Sequence, residues 1–254
     1  MGIKLNHIKQ GHGPILVLSH ALGCDLHMWD EVAQELQSQY TVLRYDHRCH
    51  GKSDCPAGPF SMDDMADDVA ALIKEQAQGP VLFAGLSLGG MVAQSLAARH
   101  PQLVKAIVIA NSTAYYEDHS IWKSRIETVT RDGVAPIVDG SIARWFTPEF
   151  VASGAGQARV ERIKKTLQSC DPKGYVASCG AVSTIDYRES NKSVKCPTLI
   201  ISGSKDMGTP PAMSQAMHAQ IPGSKLVSID AAHLSAVEQP AQFAQLMKDF
   251  LGSL

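Results

Sequence analysis

A serine flanked at two residues on either side by glycine, Gly85-Leu86-Ser87-Leu88-Gly89, follows an apolar run from Val81 and leads into a helical pattern that stops at Pro101. On such a strand-to-helix turn the serine takes strained backbone angles. The flanking glycines let strand and helix approach, so the hydroxyl is pushed into the open. That geometry suits the nucleophile of an acyl transfer. The N–H of Leu88, at the start of the helix, is aimed at an oxyanion formed beside Ser87. A hydroxyl is a weak nucleophile until a base takes its proton. Of ten histidines, His233 follows the last apolar run, in Asp230-Ala231-Ala232-His233, and fits that role. His47 and His50 compete for it, but the chain order serine, acid, histidine requires a base downstream of Ser87. His100, His119 and His218 lie in or beside helical stretches and read as surface or packing residues. Asp206, in Gly203-Ser204-Lys205-Asp206, supplies a carboxylate to orient the imidazole. The alternative place for the acid, after an earlier strand, holds Asn111, which cannot carry the charge. A second oxyanion donor is expected from Ser19-His20-Ala21-Leu22-Gly23, where Leu22 is the first choice and Ala21 the second. His20 either orders this loop or fills it.

These residues need a scaffold of strands ending on one edge. Short β-branched runs begin at Ile15, Thr41, Val81, Lys105, Thr198 and Lys225 and alternate with helical patterns, which predicts a mostly parallel sheet flanked by helices. Their near-continuous hydrophobicity predicts strands covered on both faces. A further strand is expected at residues 4–8. Ser61 with Asp63 and Asp64 opens one helix, whose Met65, Val69, Leu72 and Ile73 recur at helical spacing. Phe243, Leu246, Met247, Phe250 and Leu251 form the apolar stripe of another. Between residues 114 and 194 the strand signal disappears, and helices are predicted around 121–130, 137–145, 160–168 and 175–182. The chain therefore divides into an α/β core, 1–113 and 195–254, and an all-helical lid, 114–194.

With 23 Lys+Arg against 25 Asp+Glu, the formal charge of the 254 residues is -2. No basic field exists to recruit nucleic acid or an anionic membrane, and a small-molecule ester or lactone is the expected partner. The first twenty residues lack a secretory pattern and no long apolar run follows, so a cytoplasmic protein is expected. Six cysteines without C-x-x-C spacing are expected to be reduced, with no metal and no cofactor, and Cys24 near the oxyanion loop reads as packing.

The whole arrangement resembles the α/β-hydrolase fold, and within it the 3-oxoadipate enol-lactonases of aromatic catabolism. The resemblance rests on Leu22-Gly23-Cys24-Asp25-Leu26-His27-Met28-Trp29, Tyr45-Asp46-His47-Arg48 and His50-Gly51-Lys52-Ser53-Asp54, and the serine turn extended by Gly90-Met91. It continues through Arg144-Trp145-Phe146-Thr147-Pro148, Gly174-Tyr175, Asp206-Met207-Gly208-Thr209-Pro210-Pro211, Ala232-His233-Leu234-Ser235 and Glu238-Gln239-Pro240. Two departures stand out: His20-Ala21 replaces the family's usual Asn-Ser, and Cys49 stands where glycine is common. The resemblance implies a five-membered enol-lactone with an acetate arm as substrate, opened through an acyl-enzyme. Its free carboxylate calls for a partner in the lid, Arg144 first and Arg188 second. Trp145 and Phe146 either wall the pocket or form the lid's own core. A carboxylesterase or other lactonase is the nearest competing reading. A low-turnover binding protein on the same fold comes next, and peroxide-dependent chemistry follows.

Overall fold

Strands form where the apolar runs predict them. In the computed structural model, which describes residues 3–254, β1 (His7–Gly11) and β2 (Ile15–Ser19) precede α1 (Asp30–Leu36), β3 (Thr41–Tyr45) and α2 (Met62–Gln76). Then come β4 (Val81–Leu86), α3 (Leu88–Arg99) and β5 (Val104–Ala110). Next are α4 (Ser120–Asp132), α5 (Val138–Trp145), α6 (Pro148–Ala152), α7 (Gly154–Gln168) and α8 (Pro172–Ser183). The chain closes with β6 (Thr198–Gly203), α9 (Pro211–Gln220), β7 (Lys225–Ile229), α10 (Ser235–Glu238) and α11 (Pro240–Leu251). This is the α/β-hydrolase architecture: one seven-stranded sheet ordered β1-β3-β2-β4-β5-β6-β7. Only β1 runs antiparallel to its neighbour.

The central strands β4 and β6 are buried at every position, and β5 at all but Lys105, which explains their near-continuous apolar sequence. The α2 helix starts with a reciprocal cap, Ser61 Oγ accepting from the Asp64 N–H while the Asp64 carboxylate accepts from the Ser61 N–H. Its Met65, Val69, Leu72 and Ile73 are all buried. The stripe on α11 buries Phe243, Met247, Phe250 and Leu251, and Phe243 meets Trp29 at 5.8 Å between ring centroids.

Three expectations require correction. The first strand lies at His7–Gly11 instead of 4–8, because pairing with β3 from His7↔Tyr45 to Gly11↔Thr41 sets its register. On a strand whose side chains are mostly exposed, no apolar alternation marked that register. α6 had no counterpart among the predicted helices: five residues capped by Thr147 with Pro148 at the first position are too few to show periodicity. The cysteines are not all reduced. Cys49 and Cys55 form a disulfide, since the Cys49 N–H donates to the Asp54 carbonyl at 3.0 Å and the turn brings the two side chains together. The other four remain free thiols.

The segment between β5 and β6 holds helices throughout, apart from a lone bridge between Tyr115 and Asp186 that joins its two ends. The Tyr187 N–H donates to the Ala114 carbonyl at 2.8 Å beside it. No helix among the described residues is long and apolar enough to cross a membrane.

Candidate active site

Ser87 occupies the turn between β4 and α3 with φ 57° and ψ -114°, a left-handed conformation that a side chain rarely adopts. The surroundings hold it there. Its N–H donates to the Ala110 carbonyl at 2.9 Å, and its carbonyl accepts from the Gly90 and Met91 N–H groups and from Ser112 Oγ at 2.7 Å. A Cβ on Gly85 would overlap the Gly89 carbonyl, and one on Gly89 would overlap the Ser19 carbonyl. Both glycines are therefore required by close backbone approach. Leu88 is the first residue of α3, so its N–H has no acceptor within the helix.

The loops after β6 and β7 bring Asp206 and His233 together. His233 Nδ1 lies 2.9 and 3.0 Å from the two carboxylate oxygens of Asp206. Asp206 also accepts from the Gly208 and Thr209 N–H groups at 2.7 and 2.9 Å, from Thr209 Oγ1 at 2.8 Å and from Asn111 Nδ2 at 3.0 Å. Burial alone would raise this carboxyl, but the His233 ring and the converging donors outweigh it and hold the pKa at about 2. An ionised Asp206 fixes the proton on His233 Nδ1, which leaves Nε2 as the basic nitrogen. Ser87 and His233 wall the same cavity without a direct hydrogen bond between them, a looseness common before substrate is seated.

Asn111, rejected from sequence as a charge-bearing acid, braces the acid: its amide bonds Asp206 and the Ala232 carbonyl, and its oxygen accepts from Ser235. Glu238 is a second support that the residues alone did not reveal. Its carboxylate accepts from the Ala232 N–H at 3.1 Å and from Thr147 of the helical segment. The Leu234 N–H donates to the Trp145 carbonyl at 3.0 Å, so both neighbours of His233 are tied to that segment.

The cavity at Ser87 has a volume of about 110 Å³ and is walled by Ala21, Leu22, Tyr116, Trp122, Trp145, Met207 and His233, among others. Arg144 reaches it, as does Trp145. Phe146 does not: it is buried and stacks on Phe150 at 5.5 Å, inside the helical segment's own packing. Arg188 does not either, because it is exposed, paired with Asp186 at 2.6 Å, and lies over the Tyr115 ring. Arg125, which sequence reasoning passed over, takes its place on the cavity wall and donates to Tyr175 Oη at 2.8 Å. Neither Arg125 nor Arg144 forms an ion pair among the described residues. Burial, and then the charge of Arg125, lowers the Arg144 pKa. The only advance sign of Arg125 was its place in a predicted helix with Trp122. Within the oxyanion loop the Gly23 N–H is engaged by His50 Nε2 at 3.1 Å, while Ala21 and Leu22 line the cavity.

Comparison with known proteins agrees with the fold. A family model described as alpha/beta hydrolase fold matches residues 14–130. A 3-oxoadipate enol-lactonase of Acinetobacter baylyi is 33% identical over 95% of this chain and 90% of its own. A pimeloyl-[acyl-carrier protein] methyl ester esterase of Neisseria meningitidis is 30% identical, covering 92% of each chain. The crystal structure of the enol-lactonase from Burkholderia xenovorans superposes with a TM-score of 0.94 at 31% identity, over 98% of this chain and 97% of that one.

Proposed function

Because the chain belongs to the 3-oxoadipate enol-lactonase family of α/β-hydrolases, we propose that this hydrolase opens 3-oxoadipate enol-lactone to 3-oxoadipate through an acyl-enzyme on Ser87. Residues 114–194 act as the lid of its cavity. Ser87 attacks the ring carbonyl while His233 Nε2 takes its proton, and Asp206 stabilises the resulting imidazolium. The N–H groups of Leu22 and Leu88 hold the oxyanion. Collapse expels the enol oxygen, which His233 reprotonates, and the ring opens. The leaving group stays tethered to the acyl-enzyme, but its tautomerisation to a ketone removes the nucleophile that would close the ring again. Water activated by His233 then cleaves the acyl-enzyme. The residues that do this work need no cofactor.

The observation that carries the reading is the coexistence in one cavity of Ser87, His233 and two arginines that form no ion pair among the described residues, the Asp118 carboxylate on the same wall being engaged by the Ser120 N–H and Oγ. Two such cations facing a partly desolvated cavity suit a substrate that brings its own carboxylate, and a planar guanidinium binds it through two parallel hydrogen bonds. Turnover of the enol-lactone against its neutral methyl ester tests this. Arg144→Ala and Arg125→Ala are each expected to raise KM for the acid by roughly ten- to a hundredfold, the worth of a hydrogen bond to a charged group, and to leave the methyl ester unaffected. Equal preference for acid and ester in the wild type would remove the carboxylate from the argument. The similarity to a methyl ester esterase supports a second reading, a carboxylesterase with a different acyl preference. Aryl and alkyl esters turned over far better than the lactone would favour it.

A further inference from the structure

Behind the oxyanion loop, three histidines form a buried cluster that the mechanism above does not use. The His20 ring centroid lies 4.5 Å from that of His47 and 5.2 Å from that of His50, and His47 and His50 are 6.1 Å apart. Their hydrogen bonds decide which nitrogen carries each proton. The His47 backbone N–H donates to His20 Nε2 at 3.0 Å, so that nitrogen holds a lone pair. The His20 proton therefore sits on Nδ1, which donates to the Ala21 carbonyl at 2.8 Å. His50 is fixed in the same way, since Nε2 accepts from the Gly23 N–H and Nδ1 donates to the Arg48 carbonyl at 3.0 Å. His47 takes the other tautomer, with Nε2 donating to the His20 carbonyl at 3.2 Å and lying 3.1 Å from Ser19 Oγ.

These bonds aim one peptide. In a trans peptide the carbonyl and the following N–H point to opposite sides of a shared plane. The Ala21 carbonyl is turned to the His20 ring and also accepts from the Cys24 N–H at 3.1 Å. The Leu22 N–H is thereby turned away from the cluster, and Leu22 lines the cavity that holds Ser87. The next N–H, that of Gly23, is taken up by His50. We propose that His20 and His50 are positioning residues of the oxyanion site: as neutral rings of fixed tautomer they present the Leu22 N–H, in preference to that of Gly23, to the oxyanion beside Ser87. The proposal rests on Ser87 being the nucleophile and not on the identity of the lactone. Burial, and then His50, lowers the His20 pKa to about 3 against the opposing pull of Asp46, while His47 and His50 are also lowered, chiefly by burial. A second proton on His20 or His50 would set a ring N–H against a backbone N–H.

His20→Leu and His50→Leu remove the ring nitrogens, whereas His20→Asn keeps a donor near the place of Nδ1 and His50→Gln an acceptor near that of Nε2. With a simple aryl acetate, the leucine variants are expected to lose roughly 10- to 100-fold in kcat with KM within about twofold, as misplacement of an oxyanion donor predicts. Affinity for a trifluoromethyl ketone, which forms an oxyanion on Ser87, should fall in parallel, and the amide variants should stay within about threefold of wild type. Leucine variants with unchanged kcat and ketone affinity, or amide variants as impaired as the leucine ones, would overturn the proposal. Nitrogen-15 spectra of histidine-labelled wild-type protein at neutral pH need no turnover. A bare Nε2 on His20 and His50 is expected, and a protonated Nε2 on either overturns the proposal. Failure of the wild type to hydrolyse any ester would strike instead at the serine-hydrolase reading, which these spectra do not probe.

Discussion

A carboxylate with five neighbouring donors has little freedom, and that rigidity sets what single substitutions at the site should do. Asp206→Asn keeps the shape but offers an amide N–H in place of an acceptor, so His233 loses the constraint that keeps its proton on Nδ1. A fall in kcat of about 10⁴ with KM little changed is expected from the wrong tautomer. Ser87→Ala should cost about 10⁶ in kcat and leave the fold intact. Steady-state kinetics with an active-site phosphonate to count competent sites checks both, and a fall of less than tenfold in either variant would remove that residue from the mechanism. A carboxyl held at about 2 also stays ionised through the ordinary assay range, so its protonation does not set the acid limb of the rate profile. Ser87, Asp206 and His233 were legible in the sequence because each stands in a short loop directly after an apolar strand. Asn111 and Arg125 were not, because their roles depend on partners such as Asp206, 95 residues away from Asn111, and no local pattern records such a pairing.

At the scale of elements, the serine turn works because two glycines remove the atoms that would keep β4, α3 and β2 apart. Gly89→Ala places a methyl group against the Ser19 backbone, which cannot yield as a flexible side chain can. A loss of more than about 3 kcal/mol in urea unfolding is expected from strain at such a position. Gly79→Ala, where an added Cβ meets nothing within 4 Å, should change stability by less than about 0.5 kcal/mol. Equal effects of the two would show that close approach does not govern the turn. The buried parallel strands could be read from sequence because burial on both faces writes itself as near-continuous apolar runs rich in Val, Ile and Leu. β1 could not, since an exposed edge strand leaves its register to hydrogen bonds with β3. The disulfide escaped for a related reason: a spacing of six residues says nothing of the turn that closes it.

Across the whole molecule, the formal charge of -2 gives almost no net field, so long-range steering of a charged ligand is weak and any attraction of an anion to the cavity falls to its local arginines. The three buried histidines are a source of acid sensitivity. In the unfolded chain each takes up a proton near its ordinary pKa of 6.5, whereas in the folded chain burial keeps His20 neutral down to about 3 and lowers His47 and His50 as well. Below pH 6.5 the unfolded state therefore binds more protons than the folded one, and stability falls as pH falls, by about 1.4 kcal/mol per pH unit for each ring that stays neutral. Asp206 works in the same direction only lower down, between its ordinary value of 3.8 and about 2; in the window from 6.5 to about 4 the histidines lower stability, opposed towards its lower end by Asp25 and Asp68, whose carboxyls burial raises above 3.8. His20→Asn removes one titrating ring and should flatten the slope in that window by about one proton's worth, read from urea unfolding at a series of pH values. An unaltered slope in the variant would mean that His20 takes up its proton in the folded chain as readily as in the unfolded one, and that the cluster is not held neutral.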